Sequence, residues 1–366
     1  MASIRDSFTT FESDSLEEST LPGIETGYES GSEVPLVDSL GIVDGPIPDP
    51  IKAVSGSIDP RIKFLSYSST LTLHACPRKF QLYRLRADKV EETLDESLTF
   101  AFGHAVGEGI QLVLQGKPYA EILFRLGIGW KPLLTDRDVK RKKSFAEAIQ
   151  AIRKFIALRE AGFLEHLELV YINGKPACEL GFSIVLFDNF RFRGSIDAVF
   201  RDIRDGSIIV LECKTTWYDK INSAQFKNSS QALGYSVVLD RLFPGLSSYS
   251  VLYLVYSTST LEYTPMPFPK SFESRAEWIR SIVFDVEDII RYEEAGIYPR
   301  RGESCFEFFK PCEYLNSCNF STSYLAKPFC ESAEEIEKDE EKYEYKFNLV
   351  DLIQSQINRN TELVPA

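Results

Sequence analysis

The chain has 366 residues, 44% of them apolar, enough for one large domain or two small ones with an ample core. Its net charge of −13 sits in the tails: residues 1–50 carry −10 and 331–366 carry −6, which leaves 51–330 at +3 and keeps nucleic acid open as a partner. No run of eighteen apolar residues is present and no apolar segment follows a basic start, so the sequence reads as neither membrane-spanning nor secreted. Its seven cysteines then fit a reducing cytoplasmic setting, where thiols serve metals rather than disulfides.

Residues 1–50 are rich in Ser, Gly, Pro and acids, lack periodicity, and read as disordered. Ser66–Arg86 (SYSSTLTLHACPRKFQLYRLR) is expected to form a helix after its Ser/Thr run, and Phe100–Leu114 another. Asp136–Arg159 opens a third with Lys140-Arg141-Lys142-Lys143, either a phosphate-contacting patch or a soluble face. Cys178–Phe187 (CELGFSIVLF) reads as a strand. Arg191–Arg201 and Ser207–Lys214 are β-branched and apolar, and the Asp-Gly of the Asp202–Gly206 connection is a hairpin signal. Ser223–Arg241 reads as an amphipathic helix, Tyr249–Ser257 as a strand, 272–295 as a long helix and 333–346 as a charged helix.

Chemistry concentrates on the hairpin. Gly194-Ser195-Ile196-Asp197 and Leu211-Glu212-Cys213-Lys214 set two carboxylates and an ammonium side by side. Residues two apart on a strand share a face, so Glu212 and Lys214 point together while Cys213 points away. Charges on a buried strand need a metal or partner to offset their desolvation. With only three histidines, no Walker loop and no Ser/His/Asp set, histidine-based and triad chemistries are disfavoured.

This layout resembles the PD-(D/E)XK nuclease superfamily, with Asp197, Glu212 and Lys214 on its three signature positions. The order helix, three strands, helix, strand is the α/β core that the resemblance implies: a central mixed sheet flanked by helices. The helix after the strands carries Gln231 and Tyr235, a Q-x-x-x-Y pair one turn apart. It is similar to the RecB-like branch, where such a pair lies beside the active site and helps to hold DNA. That branch often has a metal-binding histidine in a G-x-x-x-H helix. Here Gly107 stands at that position, with His104 earlier and Glu108 one residue later. A one-residue shift turns a helical side chain by about 100°, so neither can be assumed to substitute. Glu179 matches an acidic residue of many relatives and is a further candidate metal ligand.

Cys305, Cys312 and Cys318 are spaced C-x6-C-x5-C in a Gly- and Pro-containing loop, and Cys76 lies far upstream. The set resembles the four-cysteine iron-sulfur members of the RecB-like nucleases, including AddB and the CRISPR-associated exonucleases. It implies a [4Fe-4S] cluster that pins the two ends of the core together. A four-cysteine zinc site has the same ligands and stays open, whereas Cys178, Cys213 and Cys330 read as small buried or incidental thiols.

The resemblance covers about residues 64–320. It implies a DNA exonuclease in which Asp197, Glu212 and the Cys213 backbone carbonyl bind Mg²⁺ or Mn²⁺, acting in recombination, repair or viral or mobile-element DNA processing, with recombination or replication proteins as partners. The alternatives are an inactive nuclease-fold scaffold and a restriction-type endonuclease. The expected organisation is an acidic tail (1–55), a segment with the first cysteine (56–98), the nuclease core with a helical insertion (99–260), a helix and cysteine cluster (261–325) and a second acidic tail (326–366).

Overall fold

A computed structural model of the protein describes residues 57–85, 94–131, 143–187, 190–221, 223–243, 249–270, 272–307, 310–316, 318–319 and 341–354. Lys140–Lys142, Cys330, the first acidic tail and, in the second, all but 341–354 lie outside the described residues.

The chain enters through β1 (Phe64–Leu65), α1 (Tyr67–Ala75) and α2 (Pro77–Arg84). Ser66 and Ser69 form a reciprocal capping box at the start of α1. The helix expected after the Ser/Thr run instead starts within it, at Tyr67, and breaks at Cys76, which is extended (φ −158°, ψ 104°) because the ring of Pro77 drives the residue before it out of the helical region. Next come α3 (Leu94–Leu114), α4 (Tyr119–Gly129) and α5 (Phe145–Glu160), followed by β2 (Leu167–Leu169), β3 (Tyr171–Ile172) and β4 (Lys175–Pro176). The central strands β5 (Cys178–Phe187), β6 (Phe190–Asp202) and β7 (Ile208–Thr216) match the expected strands, and the Asp202–Gly206 turn places Gly206 at φ +75°. The helix expected over Ser223–Arg241 divides into α6 (Ala224–Lys227) and α7 (Ser230–Leu242) at the polar Asn228-Ser229, side chains that compete for backbone hydrogen bonds. Then follow β8 (Tyr249–Ser257), β9 (Glu262–Lys270), α8 (Phe272–Ala295), the short β10 (Phe306–Glu307) and β11 (Lys310–Pro311), and β12 (Tyr345–Asn348).

The main sheet runs β12-β5-β6-β7-β8-β9, with β1 and β2 also paired to β6. It is mixed: β7–β8 and β12–β5 are parallel, while β5–β6, β6–β7 and β8–β9 are antiparallel. Helices cover both faces, so β8 is buried at every position but Ser250 and is apolar between its two serines. Val251, Tyr253 and Val255 join the core beneath α7 and α8, and Leu252, Leu254 and Tyr256 join the core beneath α3 and α5.

The sheet ends in two ways that sequence patterning did not anticipate. Among the described residues β9 pairs only with β8, and it carries Pro265, Pro267 and Pro269. Successive N–H groups of a strand point to opposite neighbours, so prolines at alternate positions remove donors from the open side alone. At the other end, of the charged helix expected over 333–346, residues 333–340 lie outside the described residues and 341–342 are helical, but Tyr345 and Lys346 enter β12, whose alternating Tyr345 and Phe347 pack on the core. Gly181 of β5 permits this approach, since an added Cβ would stand 1.7 Å from the Lys342 carbonyl oxygen.

Candidate active site

The β6–β7 ladder stops at Ala198–Leu211. Beyond it the strands part, and the Asp197 carboxylate fills the gap by accepting the Cys213 N–H at 2.8 Å. The N–H and C=O of a strand residue leave on the same side, so the Cys213 carbonyl also faces the Asp197 side. Strand pairing thus brings Asp197, Glu212 and the Cys213 backbone together, with Lys214 on the same strand face as Glu212.

Glu212 is 2% exposed. Its Oε1 accepts from Lys214 Nζ at 2.5 Å and from Gln231 Nε2 at 3.0 Å, while its Oε2 is buried without a hydrogen-bond partner among the described residues. A buried carboxylate oxygen with no donor is costly and calls for an absent cation or water. Burial first, and the Glu212 charge second, push the Asp197 carboxyl well above the usual range, outweighing the Cys213 hydrogen bond. Burial works against the charge of Lys214, yet Glu212 and Asp197 hold its ammonium above the ordinary lysine range. Two buried, mutually repelling carboxylates with one orphaned oxygen fit a divalent cation. Among the described residues, no three His, Cys, Asp or Glu side chains stand ready as a metal site.

Gln231 and Tyr235 stack on one face of α7, as their spacing predicts. Gln231 joins Glu212, Lys214 (3.4 Å) and the Tyr235 hydroxyl in one network. Tyr235 is 4% exposed. A cleft of about 290 Å³ opens beside this network, lined by Ser66, Tyr67, Arg193, Ser195, Lys214 and Gln231 among others.

Glu179 lies across the ladder from Asp197, at φ +50°. Its oxygens accept from Gln111 Nε2 (2.7 Å) and Ser195 Oγ (2.8 Å). Gln111, on α3, lies one turn beyond Gly107, the position at which the resemblance implies a histidine. The available signal was a lone amide beside Ile110 and Leu112, in a helix whose other core-facing residues are apolar. Gly107 has open space where a side chain would project, and His104 is 73% exposed, 3.8 Å from Glu108.

Cys76 and the three-cysteine loop converge although more than two hundred residues separate them. The Ser304 hydroxyl donates to the Ala75 carbonyl (2.8 Å), Arg78 Nε to the Cys318 carbonyl (3.3 Å), and the Cys312 N–H to the Cys305 carbonyl (2.8 Å). Cys312 packs on Leu82 and Tyr314. The segments meet, but the thiols are not gathered into a ligand set. Cys178 and Cys213 pack against the α3–α5 layer.

The family model of the PD-(D/E)XK nuclease superfamily matches residues 64–319. No curated protein matches the sequence. Among solved structures, the chain is similar to a protein from Eubacterium rectale designated an exonuclease, at 11% identity and a TM-score of 0.44, with 76% of this chain and 94% of that one covered. It is also similar to the protein SSO0001, at 13% identity and a TM-score of 0.25, covering 66% of this chain and 82% of that one.

Proposed function

The chain belongs to the PD-(D/E)XK nuclease superfamily, and from that premise we propose that it is a metal-dependent DNA exonuclease of the RecB-like type. The observation that carries this reading is the orphaned Oε2 of Glu212 beside Asp197 and Lys214. Asp197, Glu212 and the Cys213 carbonyl would hold Mg²⁺ or Mn²⁺. When bound, the cation supplies Lewis-acid neutralisation of the scissile phosphate and lowers the pKa of a bound water. Lys214, restrained by Glu212 and Gln231, would place positive charge near the phosphate and orient an attacking water. Gln231 and Tyr235 fix the Glu212 carboxylate and line the cleft where DNA would lie, and Arg193 adds a further cation there.

The test is incubation of the full chain with end-labelled linear and closed circular DNA, with Mg²⁺, Mn²⁺ or EDTA. Release of labelled nucleotides from linear DNA alone, abolished by EDTA, is the expected result. Cleavage of closed circles would make it a restriction-type endonuclease. The open space at Gly107 favours a second reading, an inactive DNA- or partner-binding scaffold, which predicts DNA binding without cleavage.

The exonuclease form of the reading leans on the cysteines. We take Cys76, Cys305, Cys312 and Cys318 as ligands of a [4Fe-4S] cluster, with zinc as the alternative, and the convergence of their segments supports this. Anaerobically purified protein should be brown, with about four irons per chain. Cys305→Ser should lose the colour and lower the melting temperature, whereas Cys178→Ser should keep both. One tightly held zinc in colourless protein would replace the cluster, and neither metal would remove it.

A further inference from the structure

Gln111 has an amide buried to 4% exposure on the side of α3 that carries Gly103 and Gly107, away from the apolar stripe of Phe102, Val106 and Ile110. A buried amide of this kind has to be answered by a specific partner, and its partner is the Glu179 carboxylate, 2.7 Å from Nε2. The other Glu179 oxygen takes the Ser195 hydroxyl at 2.8 Å. Both donors are neutral. They fix the carboxylate in place yet leave its negative charge uncancelled, which an arginine or lysine would not do.

The backbone shows the same purpose. Glu179 occupies the left-handed region at φ +50°, which a residue with a side chain adopts at a cost. The strands turn over at this point: Cys178 and Ala198 face the α3–α5 core, whereas Leu180 and Ile196, two residues on, face the opposite core. Glu179 and Asp197 therefore sit together where β5 and β6 invert. On α3, the positions one and two turns before Gln111 are glycines. Gly107 leaves open space, and a Cβ on Gly103 would stand 3.4 Å from Thr215 Oγ1 at the end of β7. The helix is cut back to its backbone until Gln111 reaches across.

We infer that Gln111 is a positioning residue that holds Glu179 beside Asp197, so that it joins the cation site as a third carboxylate when a bound cation draws the three together. This rests on the reading of Asp197 and Glu212 as cation ligands. Outer contacts of this kind typically set metal affinity by ten- to a hundredfold.

The experiment is a Mn²⁺ titration of the full chain without DNA, following free Mn²⁺ by electron paramagnetic resonance, with thermal melting in parallel. Gln111→Met, which keeps the volume and removes the donor, should weaken Mn²⁺ binding by roughly tenfold, as should Ser195→Ala. In a Glu179→Ala background, Gln111→Met should weaken it no further, because the two residues act as one unit. Unchanged Mn²⁺ affinity in Gln111→Met and Ser195→Ala, with only a lower melting temperature, overturns the inference while leaving the two-carboxylate reading standing. Wild-type protein that binds no Mn²⁺ overturns both.

Discussion

Glu212→Ala should lower the rate of DNA cleavage by about a thousandfold, on the order of 4 kcal/mol of lost transition-state stabilisation. Lys214→Ala should behave similarly. Glu212 is central because one of its oxygens holds Lys214 and Gln231 while the other is left for a cation. Asp197→Asn should be equally inactive but more heat-stable than wild type at pH 7–8 without metal. Burial and the neighbouring Glu212 raise the folded-state pKa of Asp197. Between the unfolded and folded values the folded chain keeps a proton that the unfolded chain has released, so stability falls as pH rises through that interval. Asparagine removes this loss. Added Mn²⁺ should stabilise wild type and not the variant, as read from melting curves. Wild-type cleavage by Glu212→Ala would end the assignment.

Asp240→Ala should produce the largest loss of stability, about 3–5 kcal/mol, equivalent to a fall in melting temperature of roughly 10 °C. Asp240 of α7 and Arg275 of α8 form an ion pair at 3.1 Å, with side chains 1% and 3% exposed. The Arg275 guanidinium also lies 5.4 Å from the Tyr249 ring centroid. Truncating Asp240 takes a carboxylate away from a buried cation, whereas the double change Asp240→Leu with Arg275→Met should recover most of the loss. Chemical denaturation would measure both. A double variant as unstable as the single one would show that the cost lies in packing rather than in charge. Because α7 also carries Gln231, the single variant should slow cleavage at temperatures where it is still folded.

Much of this arrangement was legible in the sequence. The β5–β6–β7 strands announced themselves by apolar runs and an Asp-Gly turn, and two-residue periodicity put Glu212 and Lys214 on one face. The spacing of Gln231 and Tyr235 matched their helix. What escaped has physical causes. β9 was hidden because prolines argue against a strand unless it lies at an edge with its open side outward. The first half of β12, Tyr345–Lys346, falls at the end of a charged run that suggests a helix, and only a distant partner, β5, makes it a strand. The inversion at Glu179 follows from one left-handed residue whose backbone angle no side-chain pattern reveals. Gln111 was missed because the search was for a histidine one turn away. The break at Cys76, by contrast, was written in the following Pro77.

The placement of β12 against β5 bears on how the chain is made. A ribosome releases β5 with one flank already destined for β6, but the strand for its other flank appears only when residue 348 has been added. At roughly 5–20 residues per second, that leaves on the order of ten to thirty seconds between the two. Throughout that interval Cys178–Phe187, which is almost entirely apolar, presents a bare row of backbone donors and acceptors to whatever other chains are nearby. The opposite border carries its protection in its own prolines and is never exposed in this way. The nascent protein is therefore vulnerable on one flank only, and chaperone demand during synthesis should centre on β5.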